Sequence, residues 1–321
     1  MKQIAEERVY GIPLEVLSQE GLCSLYRMRC LGGTGCMKRY ALLPGVDLVY
    51  SRYDAESCLT QSPIVGTLME INHCRCGRFE CEFRRGSYAY LAAGDICVNM
   101  MARPAASSGF PLSVYEGASV ILDLPAAQQA FTRAFPGIRL DLNSLRRRLC
   151  GEGDVFVNRS TPAIAHAFNL LYAQEDALNT DYALLKVLEI LLLLRDMPEE
   201  RPCGVPYFRK EIALGVRALR DDILRQPDVH LPIGRLCARY SMGSTLLKSA
   251  FKAIYGQTIY AFLRECRMQA AAASLEGGRK SIAAIAADVG YENASKFSAA
   301  FRGVMGVSPS QYRQSRRMRG L

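Results

Sequence analysis

The chain has 321 residues, half of them apolar, which is enough for two or three domains that each bury a core. Its most apolar run, residues 187–194, contains Glu189 and is far shorter than the roughly 20 residues that span a membrane, so we expect no membrane segment. Residues 1–8 lack the apolar centre of a signal peptide, and the 12 cysteines are therefore expected to be reduced thiols in the cytoplasm.

Positive charge is concentrated in the last third of the chain. Residues 207–321 hold 19 Lys and Arg against 8 Asp and Glu, a net charge of +11, whereas residues 1–206 hold 21 against 23. A generally basic protein would spread its charge evenly. The distribution instead predicts a module that binds a polyanion such as nucleic acid, joined to a near-neutral partner domain.

Residues 1–124 have the pattern of a β-rich domain. Short stretches, several of them alternating between polar and apolar residues, are separated by turn signals such as Pro44-Gly45 and Gly94-Asp95. The predicted strands are residues 48–50, 67–71, 78–83, 88–91 and 119–122. Many short strands at regular spacing predict a small barrel or sandwich.

Residues 125–197 have helical periodicity and are predicted to form a helical connector. The predicted helices are residues 125–135, 162–178 and 180–196. The third is apolar on most of its faces, so it must be buried, either within the domain or in a homodimer interface.

The clearest linker is the segment 198–206, which contains three prolines and a glycine. We therefore expect an α+β chain of several domains. The predicted order is a β-rich sensor domain (1–124), a helical connector with a role in dimerisation (125–197), the linker (198–206) and an all-α domain (207–321).

Two copies of one pattern stand about 50 residues apart in the all-α domain. Ile233 and Ile282 are 49 residues apart, and Phe251 and Phe301 are 50 residues apart. Each copy has the pattern of two short helices around a turn, which predicts helix-turn-helix units at residues 233–256 and 282–306. The predicted core residues are Leu236, Met242, Leu247 and Phe251 in the first unit and Ile285, Gly290, Tyr291, Phe297 and Phe301 in the second.

The second helix of each unit has a small, polar or basic outer face, which suits contact with DNA. The residues predicted to face the bases are Ser244, Thr245, Lys248 and Ser249 in the first unit and Asn293, Ala294, Ser295, Lys296 and Ala299 in the second. Lys252 and Arg302 each follow a core Phe and are predicted to hold phosphates. A solvated helix face is the alternative for any one of these residues, but two such faces at one spacing favour nucleic acid.

Residues 260–275 are predicted to form one continuous helix between the two units. Sixteen residues span about 24 Å. A helix of that length would place the two recognition helices in successive major grooves, which lie roughly 34 Å apart, with some bending of the DNA.

In the second copy the characteristic positions are Ile282-x-x-Ile285-Ala286, Gly290-Tyr291, Phe297, Phe301-Arg302, Gly306, Pro309 and Tyr312-Arg313. This string resembles the AraC family of transcription regulators, and the resemblance covers about residues 209–317. It implies a seven-helix DNA-binding domain, operator sites that are degenerate or resemble direct repeats, and activation through contact with RNA polymerase. Cys237 and Gly243 in the first copy depart from the Ala and Ser that are usual in the family.

The segment from Gly86 to Ile96 resembles the strand–turn–strand of the cupin-like sensor domains of many AraC-family members. This resemblance implies an N-terminal cupin-like barrel that binds a small-molecule effector. Metal-using cupins carry His-x-His, whereas only His73 of the three histidines lies in the β-rich region. We therefore expect no metal and no metal-dependent enzyme.

His73, Cys74, Cys76 and Cys81 form the one cluster that could carry chemistry of its own. Thiolates and an imidazole at close spacing can bind zinc or sense oxidation, but the spacing differs from a Cys-x-x-Cys knuckle. Structural cysteines are the main interpretation. A metal- or redox-sensing regulator is the alternative, and a Cys alkyl-transfer protein fused to a DNA-binding domain is a weaker one.

Taken together, these patterns predict a cytoplasmic, ligand-responsive transcription regulator, with activation as the expected mode. Its expected partners are double-stranded promoter DNA, RNA polymerase, an unidentified small-molecule effector and a second copy of the chain. We expect no membrane partner, no cofactor and no catalytic residues.

Overall fold

The computed structural model describes residues 6–10, 12–59, 67–83, 86–101, 107–151, 155–198, 207–229, 232–277 and 280–319. The chain divides into two compact units, Met1–Tyr207 and Phe208–Leu321. Apart from Pro198, the predicted linker 198–206 lies outside the described residues. None of the described helices is long and apolar enough to cross a membrane.

The first unit is built on antiparallel strands. These are β1 (Glu6–Val9), β2 (Ile12–Glu20), β3 (Cys23–Met28), β4 (Cys30–Leu31), β5 (Thr34–Leu43), β6 (Val46–Asp54), β7 (Ser57–Leu59), β8 (Leu68–Phe83), β9 (Ser87–Ala92), β10 (Asp95–Met100), β11 (Ser107–Gly109), β12 (Val114–Asp123) and β13 (Val155–Arg159). The main path of neighbours is β1-β2-β3-β5-β6-β12-β8-β11-β7-β4. β8 also pairs with β9 and β10, and β13 pairs with β10.

The helices of the first unit pack on one face of these strands. They are α1 (Leu124–Ala134), α2 (Leu142–Cys150), α3 (Pro162–Tyr172) and α4 (Thr180–Arg195). Because side chains alternate along a strand, Val120 and Leu122 of β12 share a core with the helices, while Ile121 lies in a second core formed by the opposite face. The predicted boundary between residues 124 and 125 therefore falls inside a core that strands and helices share.

The predicted helices 125–135, 162–178 and 180–196 correspond to α1, α3 and α4, although α3 ends at Tyr172. Helix α2 and strand β13 lie in the segment that was predicted to be a purely helical connector. β13 adds to the edge of β10, where Ile96 pairs with Asn158. The apolar helix α4 is buried within its own unit through Val187, Ile190 and Leu191, and Leu185 is 55% exposed.

Strand β8 joins two predicted strands, 67–71 and 78–83, into one of 16 residues. Its first part pairs with β10 and β12, and the part after Gly77 pairs with β9. Gly77 has φ +78°, and a Cβ there would lie 1.9 Å from the carbonyl oxygen of Val114. This conformation favours glycine, and it lets one strand take part in two sheets.

The second unit has strand β14 (Phe208–Arg209) followed, among the described residues, by seven helices. They are α5 (Lys210–Arg225), α6 (Ile233–Arg239), α7 (Ser244–Tyr255), α8 (Ile259–Glu276), α9 (Ile282–Asp288), α10 (Ala294–Met305) and α11 (Pro309–Arg319). Helix α8 is the predicted connecting helix, slightly longer at both ends. Helices α6–α7 and α9–α10 are two pairs of the same layout, one on each side of it.

Candidate nucleic-acid interface

Each helix pair is held together by the residues that the repeated pattern marks as core. The fully or nearly fully buried members are Leu236, Met242, Leu247, Phe251, Ile285, Phe297 and Phe301. Tyr291 is half-buried and its ring lies 5.8 Å from that of Phe297. Gly290 is exposed at the end of α9 with φ +78°, so its place in the pattern reflects backbone conformation rather than burial.

The second helices of the two pairs, α7 and α10, end in the same way. Gly256 and Gly306 adopt φ +79° and +78°, and the N–H of each donates to the carbonyl four residues earlier. Two residues after each glycine stand Thr258 and Ser308, which directly precede α8 and α11 and cap them with their hydroxyl groups. The repeat seen in the sequence is therefore a repeat of local structure.

The beginnings of the same two helices differ. The Oδ1 of Asn293 accepts hydrogen bonds from the N–H groups of Ser295 at 2.9 Å and Lys296 at 3.0 Å and so caps α10. Gly243 precedes α7 and offers no side-chain cap. The oxygen of Asn293, predicted to face a base, is thus engaged by its own helix, and the amide nitrogen is the group left for contact with DNA.

The residues predicted to contact DNA lie on the solvent-exposed faces of α7 and α10. All nine predicted base-facing residues and both predicted phosphate-holding residues, Lys252 and Arg302, are exposed. The hydroxyl of Ser249 donates to the carbonyl of Leu246. Lys248, Lys252, Lys296 and Arg302 form no ion pair with any described residue, so their charges are available to a polyanion. Contact with DNA stays a prediction for all eleven residues.

The motif analysis did not single out Arg267. This half-buried residue on α8 hydrogen-bonds main-chain carbonyls in the connection between α5 and α6 and in the turn between α9 and α10. An isolated arginine on a helix has no distinguishing signal in a sequence, because most such residues extend into solvent.

The His73–Cys81 cluster does not converge. His73 and Cys74 are neighbours on β8 and their side chains lie on opposite faces. The His73 ring stacks on Phe168 at 4.6 Å, and its Nδ1 is 3.1 Å from the Tyr172 hydroxyl oxygen. Burial lowers the pKa of His73 to about 4, with Arg159 adding to the effect.

The cysteines of this cluster are equally separate. The Cys74 thiol is buried in the second core and donates to the carbonyls of Cys76 and Gly77, and burial raises its pKa to about 12. Cys76 is exposed, and the side chain of Cys81 lies outside the described residues. Within the described part of the chain, no group of three or more His, Cys, Asp or Glu is arranged to hold a metal ion.

The second core of the first unit contains aromatic rings that pack against one another. The rings of Tyr53 and Phe110 stack at 4.4 Å, and Tyr115 lies 5.7 Å from Phe110. A cavity of about 400 Å³ lies elsewhere, beside α2 and the end of α4. It is lined by Arg139, Leu140, Asp141, Ser144, Leu145, Arg148 and Arg195.

Comparison with known proteins finds one family model and several similar regulators. Residues 236–315 match a family model described as a helix-turn-helix domain. The chain is 30% identical over 131 residues to a protein of Streptomyces antibioticus named as an AraC-like transcription regulator, covering 40% of this chain and 43% of the relative. It is 26% identical over 168 residues to the HTH-type transcriptional regulator MtrA of Neisseria gonorrhoeae, covering 50% and 55%.

Among solved structures, the DNA-binding domain of AdpA in complex with a target DNA is 23% identical, with a TM-score of 0.32, and covers 33% of this chain and 95% of that domain. The chain thus spans about half the length of the curated relatives it matches. The matched family model places the similarity to a helix-turn-helix domain within the second unit. The second unit therefore carries a helix-turn-helix domain of the AraC type over residues 236–315.

Proposed function

We propose that this protein is a sequence-specific transcription regulator that reads promoter DNA with helices α7 and α10, hereafter the recognition helices, as two helix-turn-helix units. The observation that carries the proposal is the repetition of one exposed, basic face. Lys252 and Arg302 stand 50 residues apart, each beside a buried Phe and each four residues before a left-handed glycine. Two equivalent faces in one basic unit suit the two grooves of a bipartite site.

Each recognition helix carries one set of side chains proposed to contact bases and another proposed to contact phosphates. Ser244, Thr245 and Lys248 lie in the first turns of α7, and Ser295 and Lys296 lie in the first turn of α10. Base contacts in helix-turn-helix proteins come from the N-terminal part of the recognition helix. Lys252 and Arg302 lie about two turns further on, where phosphate contacts are expected.

The first unit is proposed to bind a small-molecule effector and to act in the cytoplasm as the sensor of an activator. Its second core is packed with buried apolar side chains, so we assign the effector to the cavity beside α2 and α4. Its volume of about 400 Å³ is in the range of small-molecule sites. Leu140 and Leu145 supply apolar walls, while the Arg139 guanidinium, which has no partner among the described residues, favours an anionic ligand.

Dimerisation and contact with RNA polymerase complete the proposal. The exposed Leu185 on the otherwise buried helix α4 is the point at which a second copy would pack. Contact with RNA polymerase is inferred from the resemblance of the second unit to AraC-type regulators.

The test is selection of DNA from a random-sequence library by the purified full-length protein, followed by genome-wide footprinting at about 50 and 200 mM salt. The expected result is an enriched sequence with two half-sites about 10 bp apart and strong weakening of binding by salt. Enrichment of no sequence, with diffuse binding only, would refute sequence-specific regulation. The charge-reversal variant Lys248→Glu with Lys296→Glu should abolish selection, whereas Lys186→Gln on α4 should leave it unchanged.

A further inference from the structure

A single arginine bridges the segment that leads into the first helix pair and the turn of the second pair. The Nε of Arg267 donates to the carbonyl of Pro227 at 2.7 Å, and its Nη2 donates to those of Asp228 at 3.2 Å and Val229 at 3.3 Å. Its Nη1 donates to the carbonyl of Gly290 at 3.5 Å. Three of these acceptors lie between α5 and α6 and the fourth between α9 and α10. One side chain on the connecting helix therefore joins the segment directly before the first helix pair to the turn of the second pair.

A second observation comes from Gly290 itself. A Cβ at this position would lie 2.5 Å from the carbonyl oxygen of Asp228 and 3.0 Å from Nη2 of Arg267. The Tyr291 ring lies 5.8 Å from the guanidinium carbon. The turn of the second pair thus approaches the connection between α5 and α6 so closely that only glycine fits, and Arg267 lies at the point of contact. We call Arg267, residues 227–229 and Gly290 the junction.

We propose that Arg267 is the positioning residue that fixes the separation and the rotational phase of the two recognition helices, and through them the half-site spacing that the protein accepts on DNA. This proposal rests on the proposed function. The planar guanidinium carries N–H groups in a fixed fork, and all four acceptors are main-chain carbonyls. A lysine ammonium in the same place cannot reach both sides of the fork.

Spacing is the property that such a junction controls. Two linked binding modules gain affinity from each other only if the link lets both engage at once. Each added base pair moves a half-site by about 3.4 Å and turns it by about 35° around the DNA axis. Rigidly held recognition helices should therefore discriminate between spacings, and loosely held ones should not.

The experiment uses the full-length protein and the DNA selected as described above. In further duplexes the half-sites are moved apart by about 1, 2 and 5 bp, and one duplex keeps a single half-site. Arg267→Met is compared with the wild type and with Arg264→Met. Arg264 is exposed one turn earlier on α8 and hydrogen-bonds no described residue, which makes it a matched control.

The wild type and Arg264→Met should lose about tenfold or more in affinity when the spacing changes by two base pairs. Arg267→Met should bind the selected spacing about tenfold more weakly and change less than about threefold across the series, with single-half-site binding retained. A spacing profile as steep as that of the wild type would overturn the proposal. A general weakening of DNA contacts would lower all affinities together and leave the profile steep, which also overturns it.

A second variant and a hydrogen-exchange measurement test the junction if Arg267→Met does not fold or if the wild type selects no DNA. If Arg267→Met does not fold, Arg267→Lys keeps the charge and should give an intermediate profile; an unchanged profile counts against the proposal. If the wild type selects no sequence, the proposed function fails, and hydrogen exchange then tests the junction alone. Amides of residues 285–291 should exchange faster in Arg267→Met than in Arg264→Met, and equal rates contradict the junction.

Discussion

Lys252 and Arg302 offer a quantitative test of DNA binding because they occupy equivalent places and are both exposed. Each is predicted to neutralise one phosphate, so replacing either by Gln should reduce the slope of log affinity against log salt concentration by about 0.9. If wild type and variant bind equally well at about 1 M salt, this change in slope corresponds to about fivefold weaker binding of the variant at about 0.15 M salt. Fivefold is about 1 kcal/mol of binding free energy.

The two residues stand on different helix pairs and share no partner, so their effects should add. The double variant should therefore bind about 25-fold more weakly at about 0.15 M salt, with the slope reduced by about 1.8. The assay is fluorescence anisotropy of the selected duplex across a salt series. Lys280→Gln is the matched control, because the Lys280 ammonium is already paired with Asp288 at 2.6 Å. An unchanged slope in the double variant, or an equal loss in Lys280→Gln, would refute the assignment of these residues to phosphates.

Three further predictions concern stability and proximity. Burial lowers the pKa of His73 from 6.5 to about 4, so between these pH values the unfolded chain binds a proton that the folded chain does not. The free energy of unfolding should therefore fall by about 3 kcal/mol as the pH drops through that window. Urea titrations should show this fall for the wild type and a smaller one for His73→Gln, and parallel pH dependences would contradict the assignment. Phe301→Ala should destabilise the second unit by about 3–5 kcal/mol, since the ring is fully buried, whereas Ala299→Ser on the exposed face should change its melting temperature little. Cys30 and Cys58 stand directly opposite each other on β4 and β7, so diamide should oxidise them to a disulfide while it is itself reduced to its hydrazine. Burial raises the pKa of both thiols, that of Cys58 to about 12, so the reaction should accelerate with rising pH. Peptide mapping that finds no such disulfide would contradict the register of β4 and β7.

Much of the second unit could be predicted from the sequence because its signals are local. Buried aromatic residues at helical spacing, such as Phe251 and Phe301, mark the recognition helices, and glycines at the ends of these helices mark where they stop. The first unit was less predictable. Strand β8 continues through Gly77 because a neighbouring strand needs that close approach, and the contact is not visible in the sequence of β8 alone.

The sequence did not reveal the roles of residues in the candidate site that depend on backbone conformation or on partners distant in the chain. The Asn293 side chain could be placed on the exposed face, but its capping of α10 depends on the backbone conformation at the helix start. Arg267 depends on carbonyls about 40 residues earlier and 23 residues later. His73 and Cys74 are adjacent in sequence, yet strand alternation directs them into different cores, so sequence proximity was misleading.

The junction has an evolutionary consequence, since every acceptor that Arg267 uses is a main-chain carbonyl. Substitutions at positions 227–229 can change the side chains there without removing an acceptor. The residues of α7 and α10 that are predicted to face the bases stand on other surfaces and can vary independently. If Arg267 sets the half-site spacing as proposed, a lineage carrying this arrangement would acquire new operator sequences one half-site at a time and inherit the distance between half-sites unchanged. Promoters that diverge in sequence but keep their half-site spacing would be the expected trace of that history.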